Sequence, residues 1–218
     1  MMASPERGTP PGPGLFVTFE GMEGAGKSTQ CRLLAEALRR RGHEVVATRE
    51  PGGTPLGEEL RRILKFFAGD GGVCPPAELL LMASCRAQLL AQVIRPALAR
   101  GAVVLCDRFA DSTTVYQGAA RGLDAGFIEA LHRFTVDDCW PAFTFLLDLP
   151  VPAGLARAAG RGAADRFENE AAEFHERVRA GFHRLAAAHP GRIRLLAATQ
   201  PAEALHAQIL AEVCHALG

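Results

Sequence analysis

Residues 15–29 constrain the fold of this chain more than any other stretch. They begin with an apolar, β-branched and aromatic run that predicts a buried strand. A glycine-rich loop follows, and a helical pattern starts where the loop ends. Glycine lets the backbone curl so that successive N–H groups point at one spot, and the first turn of the helix adds its positive end. The stretch therefore predicts a phosphate-binding loop that comprises Gly21, Met22, Glu23, Gly24, Ala25, Gly26, Lys27, Ser28 and Thr29.

Lys27 is the cation of this loop, in the pattern G-x-x-x-x-G-K-S. The chain has 24 basic residues, yet only Lys27 and Lys65 are lysines. Lysine is a compact point charge, whereas arginine presents a planar fork of donors. Lys27 can reach the terminal phosphates of a nucleotide, and the Ser28 hydroxyl can bind Mg²⁺. We therefore expect ATP and Mg²⁺ at this loop.

Strand and helix patterns alternate along the rest of the chain. Strands are predicted at 15–19, 43–48, 102–106, 143–147 and 192–196, and helices at 27–41, 56–67, 77–99, 111–119, 125–136, 152–159, 170–188 and 201–217. Such alternation implies an α/β fold in which helices cover both faces of a parallel sheet. Ligands bind at the carboxyl ends of the strands in such sheets, where the glycine-rich loop, the segment that starts at Arg49 and Asp107 all fall. We predict one domain over residues 15–218.

Composition narrows the possible partners. The formal net charge is zero, so no electrostatic signature of nucleic-acid or membrane binding is present. No apolar stretch approaches the roughly 20 residues of a membrane span. Residues 1–14 are rich in proline and glycine, which predicts a disordered N-terminal extension without a secretory signal. The six cysteines show no metal-binding spacing and are interpreted as small hydrophobic residues in a cytoplasmic, reducing compartment.

Asp107 and Arg108 follow the third predicted strand. An acid at this position is the usual second half of such a phosphate site and holds Mg²⁺ directly or through water. The alternative for Asp107 is a cap on the next segment. Arg108 could bind the phosphate of an acceptor substrate, or it could form a surface salt bridge.

Arg86 and Arg161 are two further candidates. The helical neighbours of Arg86 are all apolar, so its guanidinium needs a partner. That partner is either a structural carboxylate or a ligand with a planar group. Arg161 lies in a glycine-containing basic stretch that could close over the γ-phosphate or could be a solvated loop. His175 and His183 are predicted to lie on the surface of a polar helix.

Missing motifs exclude two classes of nucleotide-binding protein. The chain has no Asn-Lys-x-Asp sequence, which reads guanine in GTPases, and Asn169 is its only asparagine. The acid at the end of the third predicted strand is followed by arginine rather than glutamate, unlike the acid of most ATPase motors. A small kinase remains.

The chain resembles the bacterial thymidylate kinases from about residue 15 to its end. The matching segments are residues 20–29 (EGMEGAGKST), 48–54 (TREPGGT), 107–108 (DR), 112–118 (STTVYQG), 121–124 (RGLD) and 198–201 (ATQP). The resemblance implies the P-loop nucleoside monophosphate kinase fold, with three layers, a five-stranded parallel sheet and a lid at about 154–168. It implies transfer of the γ-phosphoryl group of ATP to dTMP, giving dTDP for dTTP synthesis. It also implies a homodimer.

The resemblance assigns roles to individual residues. Lys27, Arg161, Glu23 and Arg108 would be catalytic, with Glu23 near the sugar 3′-hydroxyl and Mg²⁺, and Ser28 and Asp107 would hold the metal. The substrate would contact Arg49, Glu50, Pro51, Gly52, Met82, Arg86, Arg108, Ser112, Tyr116 and Gln117. Arg86 would hydrogen-bond the thymine, and Tyr116 would lie under the sugar. Arg161 matches the lid arginine of members that have Gly at position 24.

Three positions depart from the family pattern. Met82 stands where a phenylalanine usually stacks on the thymine, although methionine also packs well on rings. Ala197 replaces a common acid near the expected adenine region, and Ala159 removes a basic residue of the lid. Two alternatives stay open: a kinase for another nucleoside monophosphate, and a nucleotide-binding regulatory protein without turnover.

Overall fold

The sheet has five strands, all parallel, in the order β2-β3-β1-β4-β5. The computed structural model describes residues 14–67, 69, 72–160 and 165–218. The strands are β1 (Leu15–Glu20), β2 (Val45–Arg49), β3 (Val103–Asp107), β4 (Phe143–Asp148) and β5 (Ile193–Ala197). The prediction of an α/β fold with a five-stranded parallel sheet is confirmed. The predicted disordered extension lies, apart from Gly14, outside the described residues.

Helices pack on both faces of this sheet. They are α1 (Lys27–Arg40), α2 (Pro55–Phe66), α3 (Pro75–Leu89), α4 (Arg95–Ala99), α5 (Ala110–Thr113), α6 (Ala125–Thr135), α7 (Val151–Ala159), α8 (Ala172–Ala188) and α9 (Ala202–Leu217). On one face, Leu34 and Leu38 of α1 and Ile209 of α9 pack on the sheet. On the other face, the cores contain Leu89 and Ile94 from the α3 region and Phe182 from α8.

The long helix over residues 75–99 contains one turn of π-helix, Leu90–Ile94, between α3 and α4. Pro96 explains this turn, because proline donates no backbone hydrogen bond and its ring crowds the preceding turn of a regular helix. By length and composition the combined helix Pro75–Ala99 could cross a membrane. It instead packs on the sheet and carries the buried charges of Glu78 and Arg86, as a core helix of a globular domain does.

A second π-helical segment, Thr114–Ala120, continues directly from α5. The sequence pattern predicts an ordinary helix here, because π-helical turns are rare and occur mostly as short segments inside α-helices. π-Helical turns occur often at functional sites, and this one carries Tyr116 and Gln117.

The expectation that His175 lies on the surface is wrong. The side chain is fully buried, and neither ring nitrogen has a hydrogen-bond partner among the described residues. The physical reason is helical spacing. His175 lies three and seven residues before Val178 and Phe182, so it belongs to the apolar stripe of α8.

The strand register brings the predicted site residues to one edge. Phe19 of β1 and Arg49 of β2 both pair with Asp107 of β3. The glycine-rich loop therefore leaves β1 beside the ends of β2 and β3, and the side chains that follow these strands meet there.

Candidate active site

The glycine-rich loop between β1 and α1 turns sharply at its three glycines. Gly21, Gly24 and Gly26 have φ angles of 133°, 76° and 95°, which side chains of L-residues rarely allow. A Cβ atom on Gly21 would lie 2.5 Å from the carbonyl oxygen of Leu147. These glycines are thus required by backbone conformation and, at Gly21, by close packing on β4.

Lys27 is buried at the first turn of α1, where its Nζ donates a hydrogen bond to the carbonyl oxygen of Met22, at 2.8 Å. Burial and, next, the charge of Arg108 lower the pKa of Lys27, whereas Asp107 and Glu23 raise it, and the net result is a pKa of about 8. An ammonium held by so few partners inside the site is available to an incoming phosphate.

Ser28 and Asp107 meet beside the loop, where the serine hydroxyl donates a hydrogen bond to Oδ2 of the aspartate. Both supply hard oxygen ligands of the kind that Mg²⁺ prefers. No group of three or more metal-binding side chains occurs within the described residues. A pair of oxygen donors next to a phosphate site fits Mg²⁺, because Mg²⁺ keeps several waters and is usually held by one or two side chains plus substrate phosphates.

Arg108 lies between the loop and the interior of the cavity. Its backbone φ is 71°, an uncommon value for a residue with a side chain. Its Nη2 donates to Glu23 Oε1 at 2.7 Å and to the Tyr116 hydroxyl at 3.1 Å, and its Nη1 donates to the Ser112 hydroxyl at 3.2 Å. These bonds join the phosphate loop to the π-helical segment.

Glu23 completes this cluster by accepting a second hydrogen bond, from the Tyr116 hydroxyl, at 2.9 Å. Burial alone would raise the pKa of Glu23, but the charges of Arg108 and Lys27 hold it below its usual value. Burial also raises the pKa of Tyr116 well above its usual range. In the bond between them, the Tyr116 hydroxyl therefore donates and the Glu23 carboxylate accepts.

Glu20 is a buried acid of the site that the sequence analysis did not single out. It accepts hydrogen bonds from the backbone N–H groups of Phe109 and Ser112, at 2.8 and 3.2 Å, and from the Ser112 hydroxyl at 2.6 Å. Burial raises its pKa to about 7. These hydrogen bonds hold the start of α5 in position. The sequence signal that could have identified Glu20 is its place directly at the end of an apolar strand.

Arg86 meets both of the alternatives that its sequence context left open. Its Nε and Nη2 donate to Oε2 of the buried Glu50, at 3.0 and 2.8 Å, so it forms a structural ion pair. Nη2 also donates to the Phe109 carbonyl oxygen and the Thr113 hydroxyl. Arg86 at the same time lines the cavity, and its Nη1 bonds no described residue.

Most of the predicted site residues line this one cavity. They are Glu23, Gly24, Gly26, Lys27, Ser28, Thr29, Arg49, Glu50, Pro51, Met82, Arg86, Asp107, Arg108, Ser112, Tyr116 and Gln117. Gly21, Met22 and Gly52 lie outside its lining, and Ala25 lines a second cavity. Met22 is buried against Gly154, and a Cβ on Gly52 would lie 2.6 Å from Glu58 Oε1. These residues shape the backbone behind the cavity.

The second cavity lies on the other side of the loop. It is lined by Gly24, Gly26 and Thr29 together with Arg157 and residues 198–202. The Arg157 guanidinium donates to the Ala198 carbonyl oxygen at 3.2 Å. The loop therefore separates two cavities, as expected for a site that holds two ligands.

Several cavity residues were not predicted. Arg61, Lys65, Thr113, Asp165, Phe167 and Glu168 also line the first cavity. Lys65 and Asp165 form an ion pair at 2.5 Å, which ties α2 to the segment before α8. Lys65 carried a signal as one of only two lysines. The predicted lid arginine, Arg161, lies outside the described residues.

Comparisons with known proteins agree with this geometry. The family described as Thymidylate kinase matches residues 19–209. A thymidylate kinase of Pseudomonas fluorescens (strain SBW25) is 56% identical over 188 residues, which are 86% of this chain and 89% of the relative. One of Thermomicrobium roseum is 50% identical over 199 residues, which are 91% and 93%.

A solved structure supports the same conclusion. The crystal structure of thymidylate kinase from Ehrlichia chaffeensis has a TM-score of 0.73 and 34% sequence identity, and the match covers 95% of this chain and all of that one (100%). Its similarity extends the sequence match to the whole fold. The chain belongs to the thymidylate kinase family.

Proposed function

We propose that the first cavity binds dTMP beside the terminal phosphates of ATP, and that Arg108 holds the acceptor phosphate. The reaction itself follows from family membership: the γ-phosphoryl group of ATP passes to dTMP, which gives dTDP in dTTP synthesis. The observation that carries the proposed site is the position of Arg108. It bonds Glu23 of the phosphate loop and both Ser112 and Tyr116 on the opposite wall.

The phosphate loop acts by position and charge. Its N–H groups and the start of α1 receive the ATP phosphates, and Lys27 places its ammonium on them. Ser28 and Asp107 would hold Mg²⁺, which supplies neutralisation of phosphate charge when bound. Arg108 orients the acceptor oxygen toward the γ-phosphorus, so that the reacting groups lie in line. No covalent bond to the protein is needed.

The interior of the cavity would receive the nucleoside. Tyr116, whose hydroxyl is bonded to Glu23, would lie under the sugar, and Met82, which lines the cavity, would pack on the base. Arg86 has its Nη1 left to donate to a carbonyl oxygen of thymine, because Nε and Nη2 are bonded to Glu50. Arg49, Glu50, Pro51 and Ser112 line the same cavity, and Gly52 shapes the turn behind it.

Arg161 is proposed as the cation that covers the γ-phosphoryl group during transfer, within a lid at about 154–168. The supporting feature is Gly24, which leaves the phosphate loop without an arginine of its own. Arg161→Ala should lower kcat by two orders of magnitude or more, with modest change in dTMP affinity. Unchanged kcat would remove Arg161 from the mechanism.

The direct test measures ADP release with ATP and Mg²⁺ against dTMP, dUMP, UMP, CMP, AMP and GMP. We expect a strong preference for dTMP, with dUMP second, because both carry the N3–H and O4 groups of a uracil ring. Preference for a purine or for CMP would contradict the assignment of the base pocket. ATP binding without acceptor-dependent ADP release would contradict the kinase itself.

A cytoplasmic homodimer completes the proposal. All six cysteines are free, as expected in a reducing compartment. Leu80 of α3 and Phe127 and Phe134 of α6 are 51%, 53% and 85% exposed, and α3 packs against α6. Exposed apolar side chains on adjacent helices suit a second copy of the chain. Sedimentation equilibrium should give twice the monomer mass, and Phe127→Glu should shift it to the monomer.

A further inference from the structure

Glu78 of α3 is a fully buried carboxylate beside the proposed base pocket. Its Oε2 is 2.7 Å from Nη1 of Arg166 and 3.2 Å from Nη2 of Arg121. Its Oε1 accepts from Nε of Arg121 at 3.3 Å and from Nε2 of Gln117 at 2.7 Å. Every described partner of the Glu78 carboxylate is therefore a donor.

This environment determines how the Gln117 amide is oriented. A carboxylate held by two guanidinium groups accepts hydrogen bonds and does not donate them. Only the NH₂ end of the amide can face such an acceptor, and this argument holds whichever way the amide atoms are assigned. The carbonyl end of Gln117 must then point away from Glu78. Its Oε1 accepts no hydrogen bond from any described residue, and Gln117 lines the cavity.

The two polar side chains that would hydrogen-bond the base, Arg86 and Gln117, then have opposite hydrogen-bonding roles. Arg86 offers a donor through Nη1, and Gln117 offers an acceptor through Oε1. Thymine presents a carbonyl acceptor at O4 and a donor at N3–H. Cytosine reverses both groups, because it has an amino donor at C4 and an unprotonated N3. A pocket with a fixed donor and a fixed acceptor therefore discriminates between these two bases.

We propose that Glu78 is a positioning residue that holds the Gln117 amide with its carbonyl toward the base, and so makes the pocket select thymine over cytosine. This inference deepens the proposed function and rests on its base pocket. Glu78 itself does not touch the substrate. Arg121 and Arg166 keep the buried carboxylate paired, which a charge at this depth requires.

The test compares dTMP with 5-methyl-dCMP, which carries the same methyl group and differs at the two reading positions. Glu78→Gln puts an amide beside Gln117 that can either donate or accept, so Gln117 is free to reverse. We expect the ratio of kcat/KM for dTMP to that for 5-methyl-dCMP to fall about tenfold, the effect of one hydrogen bond. The change should appear mainly in KM, because the phosphate end is untouched.

A double-mutant cycle separates positioning from general structural damage. In a Gln117→Ala background, Glu78→Gln should leave the base ratio unchanged, because the residue through which it acts is gone. Glu129→Gln is the matched control, since Glu129 is an exposed partner of Arg133 on α6. Arg121→Met should lower stability and keep the base ratio, because Glu78 still holds Gln117.

Three results would overturn the proposal: an unchanged base ratio in folded Glu78→Gln, an equal effect of Glu78→Gln with and without Gln117, or an unchanged ratio in Gln117→Ala. Failure of the wild-type chain to use dTMP would instead contradict the proposed function.

A measurement on the unmutated protein covers the case in which Glu78→Gln does not fold. The side-chain NH₂ signals of Gln117 should be protected from solvent exchange before dTMP is added. Protection that appears only with dTMP would mean that the NH₂ group faces the base, and would overturn the proposal.

Discussion

The two ends of the first cavity are built differently. At the base end, Arg86, Glu78 and Gln117 are 2%, 0% and 1% exposed, and each is bonded to other protein groups. At the phosphate end, Ser28 and Thr29 are exposed, and the Arg49 side chain is 50% exposed in its ion pair with Glu58. A neutral base is read by donors and acceptors fixed in advance, whereas phosphates bring enough charge to reorganise exposed side chains.

Lys27→Ala should break the phosphate end and give the largest effect on turnover. We expect kcat to fall about 10³-fold, since the cation that would stabilise charge on the transferred group is lost. The KM for dTMP should change little, because the base end is untouched. Steady-state kinetics measure both, with Arg32→Ala, an exposed residue of α1, as control. A large rise in the dTMP KM would show that the two ends are not separable.

Arg86→Ala should break the base end. We expect kcat/KM for dTMP to fall about 100-fold and the free energy of unfolding to fall by about 3–5 kcal/mol, because Glu50 is left buried without its partner. Urea denaturation and kinetics measure the two effects. The double variant Arg86→Met with Glu50→Gln removes the unpaired charge. It should recover stability without recovering dTMP use, and recovery of both would make Arg86 purely structural.

Glu20 pairs with Arg108 at the point where the base end and the phosphate end of the cavity meet. Glu20→Gln should change the pH dependence of stability, and this effect should be smaller than those of the two variants above. Burial raises the pKa of Glu20 from 4.5 to about 7. The folded state thus binds the Glu20 proton more tightly than the unfolded state does. Protonation of Glu20 therefore stabilises the fold below pH 4.5, and this stabilisation is lost as the pH rises through 7. We expect the wild type to lose on the order of 2–3 kcal/mol relative to the variant across this window.

Urea titrations of both proteins at several pH values, from about 5 to about 8, measure this difference directly, because all other titrating groups are common to both chains. A constant difference in the free energy of unfolding would mean that Glu20 does not change its protonation in this range.

The fold was predictable because its signals are local. Each strand is a short apolar run bounded by turn residues, and the glycine-rich loop combines sequence spacing with a required backbone conformation. The convergence of the loop, Arg49 and Asp107 at one sheet edge followed from topology alone. The sequence also showed that Arg86 needs a partner, because its charge lies on an apolar helix face, although it did not identify that partner as Glu50.

The remaining features depend on contacts between distant parts of the chain. Glu78 and Gln117 lie on different helices, so the local sequence around either residue does not predict their hydrogen bond. The π-helical turns are too short to leave a pattern that distinguishes them from the helices around them. Glu20 resembles any acid at the end of a strand. His175 was misplaced for a different reason: a polar residue type was given more weight than its position on the apolar stripe of α8.

The strand order also determines when the site can form during synthesis. β1 is made first, but its two neighbours in the sheet are β3 and β4, which are Val103–Asp107 and Phe143–Asp148. Pairings between distant segments form late because long loops must close first. The phosphate loop of the nascent chain therefore lacks the strands that hold β1 in place until β4 has left the ribosome. A chain truncated before β4 should not bind ATP, and the half-made protein cannot sequester the nucleotide on which the finished enzyme works.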